Sequence, residues 1–134
     1  MNFADACDRI MYHCQQQSWI RQAPNDPAAV AAAFPFAAVF PSTGQSRRES
    51  DMRRDLHTVN LEIHWAFRDL PRDAGDAKDH LDSILNDLWD DITLNSTVDC
   101  ITAITYDFGP MAWGAAETLG YIMHITFKQR TAIT

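Results

Sequence analysis

A strict alternation of apolar and polar residues at positions 57–67 constrains the fold of this chain more than any other feature. In the stretch HTVNLEIHWAF, one of the two alternating sets is apolar: Val59, Leu61, Ile63, Trp65 and Phe67. Successive side chains of a strand point to opposite faces of its sheet, so this period of two predicts a β-strand with one buried face. The opposite face carries Glu62 and His64, and we expect it to lie against solvent, a lumen or a neighbouring subunit.

Two amphipathic helices are predicted by apolar residues that recur at intervals of three and four. The first covers residues 3–17. The second has an apolar stripe over four turns: Ala77, Leu81, Ile84, Leu85, Leu88, Trp89 and Ile92. Asp73 or Asp76 suits the amino-terminal cap of this helix, and Asn95 suits a left-handed turn after it.

The segment between the first helix and the long strand gives weaker signals. Asp26 and Pro27 are typical of the start of a short helix. PFAAVF predicts a short strand that Pro41 closes. Residues 41–56 have no apolar periodicity, so we expect a long, exposed and mobile hairpin loop. That loop holds four of the eleven cationic residues of the chain: Arg47, Arg48, Arg53 and Arg54.

Two further strands complete the predicted fold. They lie at residues 98–108 and 120–128, and a segment rich in small residues, GPMAWGAAETLG, links them. The order helix, strand, strand, helix, strand, strand predicts an α+β fold. In it, an N-terminal helix and a central amphipathic helix pack against a mostly antiparallel four-stranded sheet. The length of 134 residues suits one core, so we expect residues 1–134 to form a single domain.

Charge and composition restrict the class of protein. The formal net charge of -7 makes the chain a poor non-specific ligand for nucleic acid or for an anionic membrane. No apolar run approaches the roughly 20 residues that span a bilayer, and the amino terminus lacks the pattern of a signal peptide. The three cysteines, Cys7, Cys14 and Cys100, show no CxxC spacing. Free, buried thiols in a reducing cytosol are therefore expected.

Motifs for catalysis are missing from the sequence. It contains no GxGxxG, GxxxxGK[ST], HExxH or GxSxG stretch, and its cysteines are expected to be buried. Glu62, His64 and His124 are the best candidates for a metal site, provided that their strands are neighbours. The alternative is that all three are ordinary polar residues on a sheet surface. We expect no enzyme activity, no metal and no other cofactor.

The distribution of charge suggests an interaction surface instead. Seven of the eighteen acidic residues fall on the central helix, and five of them are candidates for docking: Asp79, Asp82, Asp87, Asp90 and Asp91. Such a run is usually a solvated face. Here it is matched by the four arginines of the 41–56 loop, which carry the opposite charge. Complementary patches of this kind steer association and fix register, so the arginines are expected to dock on an adjacent subunit or on a tube protein.

In the order and pattern of its predicted elements, the sequence resembles the tail terminator (tail-completion) family of long-tailed bacteriophages. The resemblance covers nearly the whole chain and lies in the order of FPFAAVFPS, LHTVNLEIHWAF, LWDDITLNSTV, YDFGPMAWG and GYIMHITFKQR around the two helices. In that family the turn after the central helix often contains paired glycines. This chain departs from the pattern, since it has Asn95 and Ser96 there.

The resemblance implies a structural virion protein without catalytic residues, assembled in the host cytoplasm. Such proteins form a hexameric ring on the head-proximal end of the tail, end polymerisation of the tail tube protein, and join the neck or head-completion protein. DNA passes through the lumen without specific binding, and no membrane is involved. A neck or head-completion connector of the same particle is the nearest alternative. A small metal-binding domain or enzyme is the alternative from another class.

Overall fold

The computed structural model describes residues 2–133, and its elements follow the order α-β-β-α-β-β. They are α1 (Phe3–Gln15), β1 (Phe36–Glu49), β2 (Met52–Ala66), α2 (Leu70–Asp90), β3 (Cys100–Trp113) and β4 (Ala116–Ala132). The strands form one antiparallel sheet in the order β1-β2-β4-β3. The α+β fold expected from the sequence is therefore confirmed. Met1 and Thr134, the ends of the expected domain, lie outside the described residues.

The core lies between the two helices and one face of the sheet. Val59, Leu61 and Ile63 of β2 are fully buried there, as the alternation predicts. They belong to one cluster with residues of both helices, among them Ile10 of α1 and Ile84 of α2. Full burial of a side chain of this size contributes about 1.5–3 kcal/mol. We call the sheet face that is turned away from the helices the outer face.

Polar side chains bind backbone N–H groups at the start of α1 and just before the start of α2. The Asn2 side chain accepts a hydrogen bond from the Asp5 N–H at 2.9 Å at the start of α1. α2 begins after Asp69, several residues before the positions that we expected to cap it. Asp73 still serves this end, because its Oδ2 accepts hydrogen bonds from the N–H groups of Arg68 and Asp69, both at 3.0 Å. Carboxylates in a first turn also favour the helix dipole.

The short helix expected at Asp26 and Pro27 was a wrong prediction, since residues 23–35 contain no helix. Side chains from elsewhere bind the backbone of this segment instead. Gln22 Oε1 accepts hydrogen bonds from two successive N–H groups at 2.6 and 3.1 Å. Trp113 Nε1 donates a hydrogen bond to the Ala28 carbonyl at 3.0 Å. These tertiary contacts outweigh the local capping signal.

The hairpin expected over residues 41–56 is present and largely exposed, but the prediction that it is an irregular loop was wrong. β1 continues past Pro41, with a register irregularity before Thr43, to a two-residue turn at Ser50 and Asp51. Pro41 is tolerated because β1 is an edge strand, where a missing N–H can face away from the ladder. Residues 52–56 pair with β1 on one side and with β4 on the other. Backbone hydrogen bonds, which apolar periodicity does not report, thus order this segment. We call residues 42–55 the arm.

Candidate functional site

The outer face carries a buried polar network near the end of β2. His64 is fully buried, and its two ring nitrogens lie 2.7 Å from Thr118 Oγ1 and 2.9 Å from Glu62 Oε1. The Trp113 ring covers this network, with its centroid 5.4 Å from that of His64 and 4.7 Å from that of Phe36. The expectation that this face lies against solvent, a lumen or a neighbouring subunit was therefore wrong at His64, which residues of the same chain cover. The hairpin of β3 and β4 extends over residues that we expected to form a linker, and it brings Trp113 here.

The network has the carboxylate–histidine–hydroxyl order of a nucleophilic triad, but it is closed to substrates. Thr118 has no exposed surface, so its hydroxyl cannot attack a bound molecule. Full hydrogen bonding of these buried groups fits a structural role, because an unpaired buried polar group is costly.

The three candidate metal ligands do not converge. β2 and β4 are neighbours, and His124 of β4 lies opposite Asn60 of β2. His64 lies opposite Gly120, which is four residues before His124 along β4. That separation is about 13 Å at the rise of a strand. His124 Nδ1 lies 2.7 Å from Asn60 Oδ1, whereas His64 lies beside Glu62. Residues 2–133 hold no group of three His, Cys, Asp or Glu side chains arranged to bind a metal ion.

The expectation that all three cysteines are buried is confirmed only for Cys14, since Cys7 and Cys100 are partly exposed. Burial raises the pKa of Cys14 to about 12. Burial, and to a smaller extent the charge of Asp8, raises the pKa of Cys7 to about 11. Both thiols are thus protonated at neutral pH, and a thiol in that state is a poor nucleophile and metal ligand.

The structure divides the four expected docking arginines between the two faces of the arm. Arg47 of β1 lies directly opposite Arg54 of β2, and Arg48 lies opposite Arg53. Adjacent side chains of a strand alternate in direction, so the first pair shares the outer face and the second pair shares the inner face. All four side chains are exposed. They form two separate pairs and not one cluster.

The inner pair belongs to a local network. Arg53 Nε donates a hydrogen bond to Asp55 Oδ2 at 2.9 Å, and Ser46 Oγ donates to the other oxygen of this buried carboxylate. Arg48 Nε donates a hydrogen bond to the Ser50 carbonyl at 3.0 Å, and this bond stabilises the turn of the arm. These arginines therefore stabilise the arm itself.

The outer pair belongs to a larger cationic surface that our reading of the sequence missed. Arg130 of β4 lies directly opposite Arg54, so Arg47, Arg54 and Arg130 form a row across three adjacent strands. Lys128 lies on the same face, one step along β4. We call Arg47, Arg54 and Arg130 the arginine row. The spacing of Lys128 and Arg130 by two residues would have placed them on one face of a strand. The predicted strand ended at residue 128, so Arg130 was not included.

The five candidate carboxylates of the central helix also divide into two groups. Asp79, Asp82 and Asp90 are exposed on α2. Asp87 accepts a hydrogen bond from the Gln17 side chain, and Asp91 follows the helix as its C-cap residue. Asp91 Oδ2 lies 2.7 Å from both Arg9 Nε and His13 Nε2 of α1. Asp87 and Asp91 therefore hold the two helices together within one subunit.

The surroundings of Asp91 alter its acidity. Partial burial alone would raise the pKa of this carboxyl. Hydrogen bonds from Arg9, from His13 and from the Asn95 N–H, together with the charge of Arg9, outweigh burial and lower the pKa from 3.8 to about 2. Asp91 is thus ionised at neutral pH and already has its partners, which makes it a poor residue for docking another molecule.

Comparison with known proteins does not assign a family to this chain. No protein-family model matches it, and no curated protein is significantly similar to it in sequence. Neither helix in residues 2–133 is long and apolar enough to cross a membrane.

Proposed function

We propose that this protein is a structural virion protein that caps the head-proximal end of a phage tail tube as a ring. In that place it ends polymerisation of the tube protein and presents the surface that the neck or head-completion protein joins. The resemblance of the sequence suggests this function and a hexameric ring. The observed α-β-β-α-β-β order is the order that the resemblance implies.

The observation that carries the proposal is the separation of opposite charges on one small subunit. Exposed arginines lie on the arm, and exposed carboxylates lie on the solvent face of α2. A contact between two different patches of identical subunits is heterologous, and such contacts close into rings when the rotation between subunits permits it. Complementary charge would set the register of that contact.

The open edges of the sheet also suit an assembled protein. β1 and β3 each have a neighbour on one side only. Residues 41–49 of β1 are all exposed, so this end of the edge has no cover within residues 2–133. A long exposed edge strand is a liability in a free monomer and is usually covered or paired. Assembly into a ring or onto a tube would provide the cover.

The net charge of -7 fits a ring through which DNA passes. An acidic protein repels the phosphate backbone and lacks the excess of cations that non-specific binding requires. The closed network at His64 and the scattered candidate metal ligands favour a structural role over a catalytic one.

The test is a variant in which Arg47, Arg48, Arg53 and Arg54 are all replaced by Glu, introduced into the particle that encodes the chain. Like charges would then meet at each contact, and electron microscopy should show over-long tubes. The control places the same kind of substitution on exposed cations outside the arm and α2: Arg21→Glu and Arg68→Glu. It should give normal tails.

The phenotype separates the proposed cap from its neighbours in the particle. Over-long tubes support a terminator, whereas tails of normal length without heads would assign the protein to the neck. Infectious particles with normal tails, from a variant that melts at the wild-type temperature, would contradict both assignments.

A further inference from the structure

The arginine row has a defined spacing. Arg47, Arg54 and Arg130 lie directly opposite one another on β1, β2 and β4. Neighbouring strands are about 4.8 Å apart, so the row presents three positive charges at steps of about 4.8 Å across the strands. A row of this kind is matched best by negative charges that repeat at the same interval.

The surroundings neutralise the row only in part. Arg54 pairs with Glu49 and Arg130 pairs with Asp99, both at 2.8 Å. Arg47 and Lys128 have no carboxylate within ion-pair distance anywhere in residues 2–133. All four cations line one groove on the outer face of the arm, of about 420 Å³. Asp55 also lines the groove, but it pairs with Arg53 of the inner face. The four cations therefore have only Glu49 and Asp99 as ion-pair partners among the described residues, which leaves a surplus of positive charge in an otherwise acidic protein.

α2 carries carboxylates at a matching interval. Asp76, Asp79 and Asp82 are three residues apart, which corresponds to a rise of about 4.5 Å per step along the helix axis. All three are exposed, and Asp79 lies on the side of the helix opposite the buried stripe of Ala77, Ile84 and Leu88. None of the three forms an ion pair in the part of the chain that the structure describes. We call them the acidic ladder.

We infer that the arginine row of one copy docks across the acidic ladder on α2 of a second copy. The steps of about 4.8 Å and about 4.5 Å are similar. Successive carboxylates of the ladder are also rotated by about 60° around the helix, so the outer two pairs require the long arginine side chains to reach around α2. Each copy offers both a row and a ladder, and the contact can therefore repeat from subunit to subunit. The inference names the contact within the proposed ring, and it rests on that proposal only for the presence of a second copy.

The row is better matched to protein carboxylates than to nucleic acid. Three or four phosphate contacts would have to overcome the repulsion of a chain with a net charge of -7. The ladder, by contrast, belongs to the same protein and is present at the same concentration. Lys78 is the cation nearest the middle of the ladder and is exposed, so it adds an opposing charge that limits affinity.

The test uses two variants that carry opposite changes. In the row variant, Arg47→Glu, Arg54→Glu and Arg130→Glu set acid against the acidic ladder. In the ladder variant, Asp76→Arg, Asp79→Arg and Asp82→Arg set cations against the arginine row. Sedimentation velocity should show that the wild type self-associates and that each variant alone does so at least about tenfold more weakly.

Mixing the two variants is the decisive step. The row variant has an acidic row, which is complementary to the cationic ladder of the ladder variant. The row variant also keeps its acidic ladder, which is complementary to the arginine row that the ladder variant keeps. An equimolar mixture should therefore regain wild-type assembly through an alternating arrangement. A structural defect in either variant would not be repaired by mixing.

Two controls keep the test specific. Arg21→Glu with Arg68→Glu changes charge on exposed positions outside the arm and α2 and should leave self-association unchanged. Asp8→Arg, Asp26→Arg and Glu117→Arg match the charge change of the ladder variant on other exposed positions and should also leave it unchanged. If the row variant folds less well, the neutral variant Arg47→Gln, Arg54→Gln and Arg130→Gln replaces it and should weaken association in the same direction.

Several results would overturn the inference. They are a wild type that stays monomeric at every concentration, a row variant that assembles normally, or a mixture that remains dissociated. Loss of DNA binding in the row variant without a change in self-association would assign the row to nucleic acid instead. A further outcome is that assembly is restored in the mixture while particles that carry the four-arginine variant still form normal tails. That pair of results would support this contact between copies and contradict the proposed function.

Discussion

Gly120 of β4 lies so close to the backbone of Ile63 in β2 that a Cβ on Gly120 would stand 1.8 Å from the Ile63 carbonyl oxygen. Only glycine leaves the two strands room to approach in this way. The position is buried, and it pairs with His64 of the covered network. The close approach therefore belongs to the part of the outer face that Trp113 seals.

We expect Gly120→Ala to destabilise the protein by about 3 kcal/mol, because the added methyl group meets backbone that cannot move aside. Urea unfolding followed by circular dichroism measures the change. Gly109→Ala is the control in the neighbouring strand, since a Cβ there would meet no atom within 4 Å. Its effect should stay within about 0.5 kcal/mol. Equal stabilities of the two variants would contradict this account of Gly120.

A second prediction concerns acid unfolding. The pKa of Asp91 is about 2 in the folded protein, below its ordinary value of 3.8. A lowered folded pKa means that the stabilisation is fully present above the unfolded value and is lost as the pH falls through 3.8 towards 2. Allowing for solvent screening, we expect a contribution of about 1 kcal/mol at neutral pH.

Asp91→Asn should remove this contribution. Urea unfolding at a series of pH values should show a gap in the free energy of unfolding between wild type and variant. That gap should close between about pH 5 and pH 2. Asp90→Asn is the matched control, because Asp90 is exposed and has no ion pair among the described residues. A gap that persists unchanged at low pH would show that charge is not the cause.

How far the sequence predicted this structure can be judged from β2 and the arm. Alternation located the strand at residues 57–67, because side chains that face a core must be apolar. It failed for residues 42–55, where both faces are polar and ladder hydrogen bonds supply the order. The end of α2 shows the opposite error. Trp89 and Ile92 continue the apolar periodicity but are 42% and 46% exposed.

The candidate site was predictable only where residues are close in sequence. The run of acidic residues on α2 and the arginines of the arm could be recognised from the sequence. Which of them already have hydrogen-bond or ion-pair partners within the subunit could not. Those pairings depend on tertiary contacts, such as those of Asp91 with α1 and of Asp87 with Gln17. The place of Arg130 beside Arg54 depends on the register of β2 and β4, which a single sequence does not define.

A third prediction tests the structural role of the network on the outer face. Thr118→Val keeps the shape of the side chain but removes the hydroxyl that lies 2.7 Å from His64 Nδ1. A buried ring nitrogen is left without a partner, so we expect a loss of about 1–3 kcal/mol in the free energy of unfolding. Thr126→Val is the control, since Thr126 lies on the same face, is only half-buried and bonds Thr58 at 3.0 Å. A smaller loss at Thr118 than at Thr126 would argue against the network.

The last prediction concerns the turn after α2, where three successive residues adopt left-handed backbone conformations. Leu94, Asn95 and Ser96 have φ angles of 47°, 56° and 65°. A left-handed conformation costs a residue with a Cβ roughly 1–2 kcal/mol, less for Asn, whereas glycine adopts it without steric cost. The left-handed conformation of Ser96 therefore carries a cost in stability that glycine would not have.

Ser96→Gly should therefore stabilise the protein by about 0.5–1 kcal/mol, after the entropy that glycine gains in the unfolded chain is subtracted. Ser96 is exposed, and its side chain makes no hydrogen bond within residues 2–133, so the substitution removes no contact of the folded state. Asn86→Gly is the matched control at an exposed position within α2, and it should destabilise by about 0.3 kcal/mol because glycine has a lower helix propensity than asparagine. Opposite shifts of the two melting temperatures are the expected result. A decrease for Ser96→Gly would mean that the left-handed turn is not under strain at this residue.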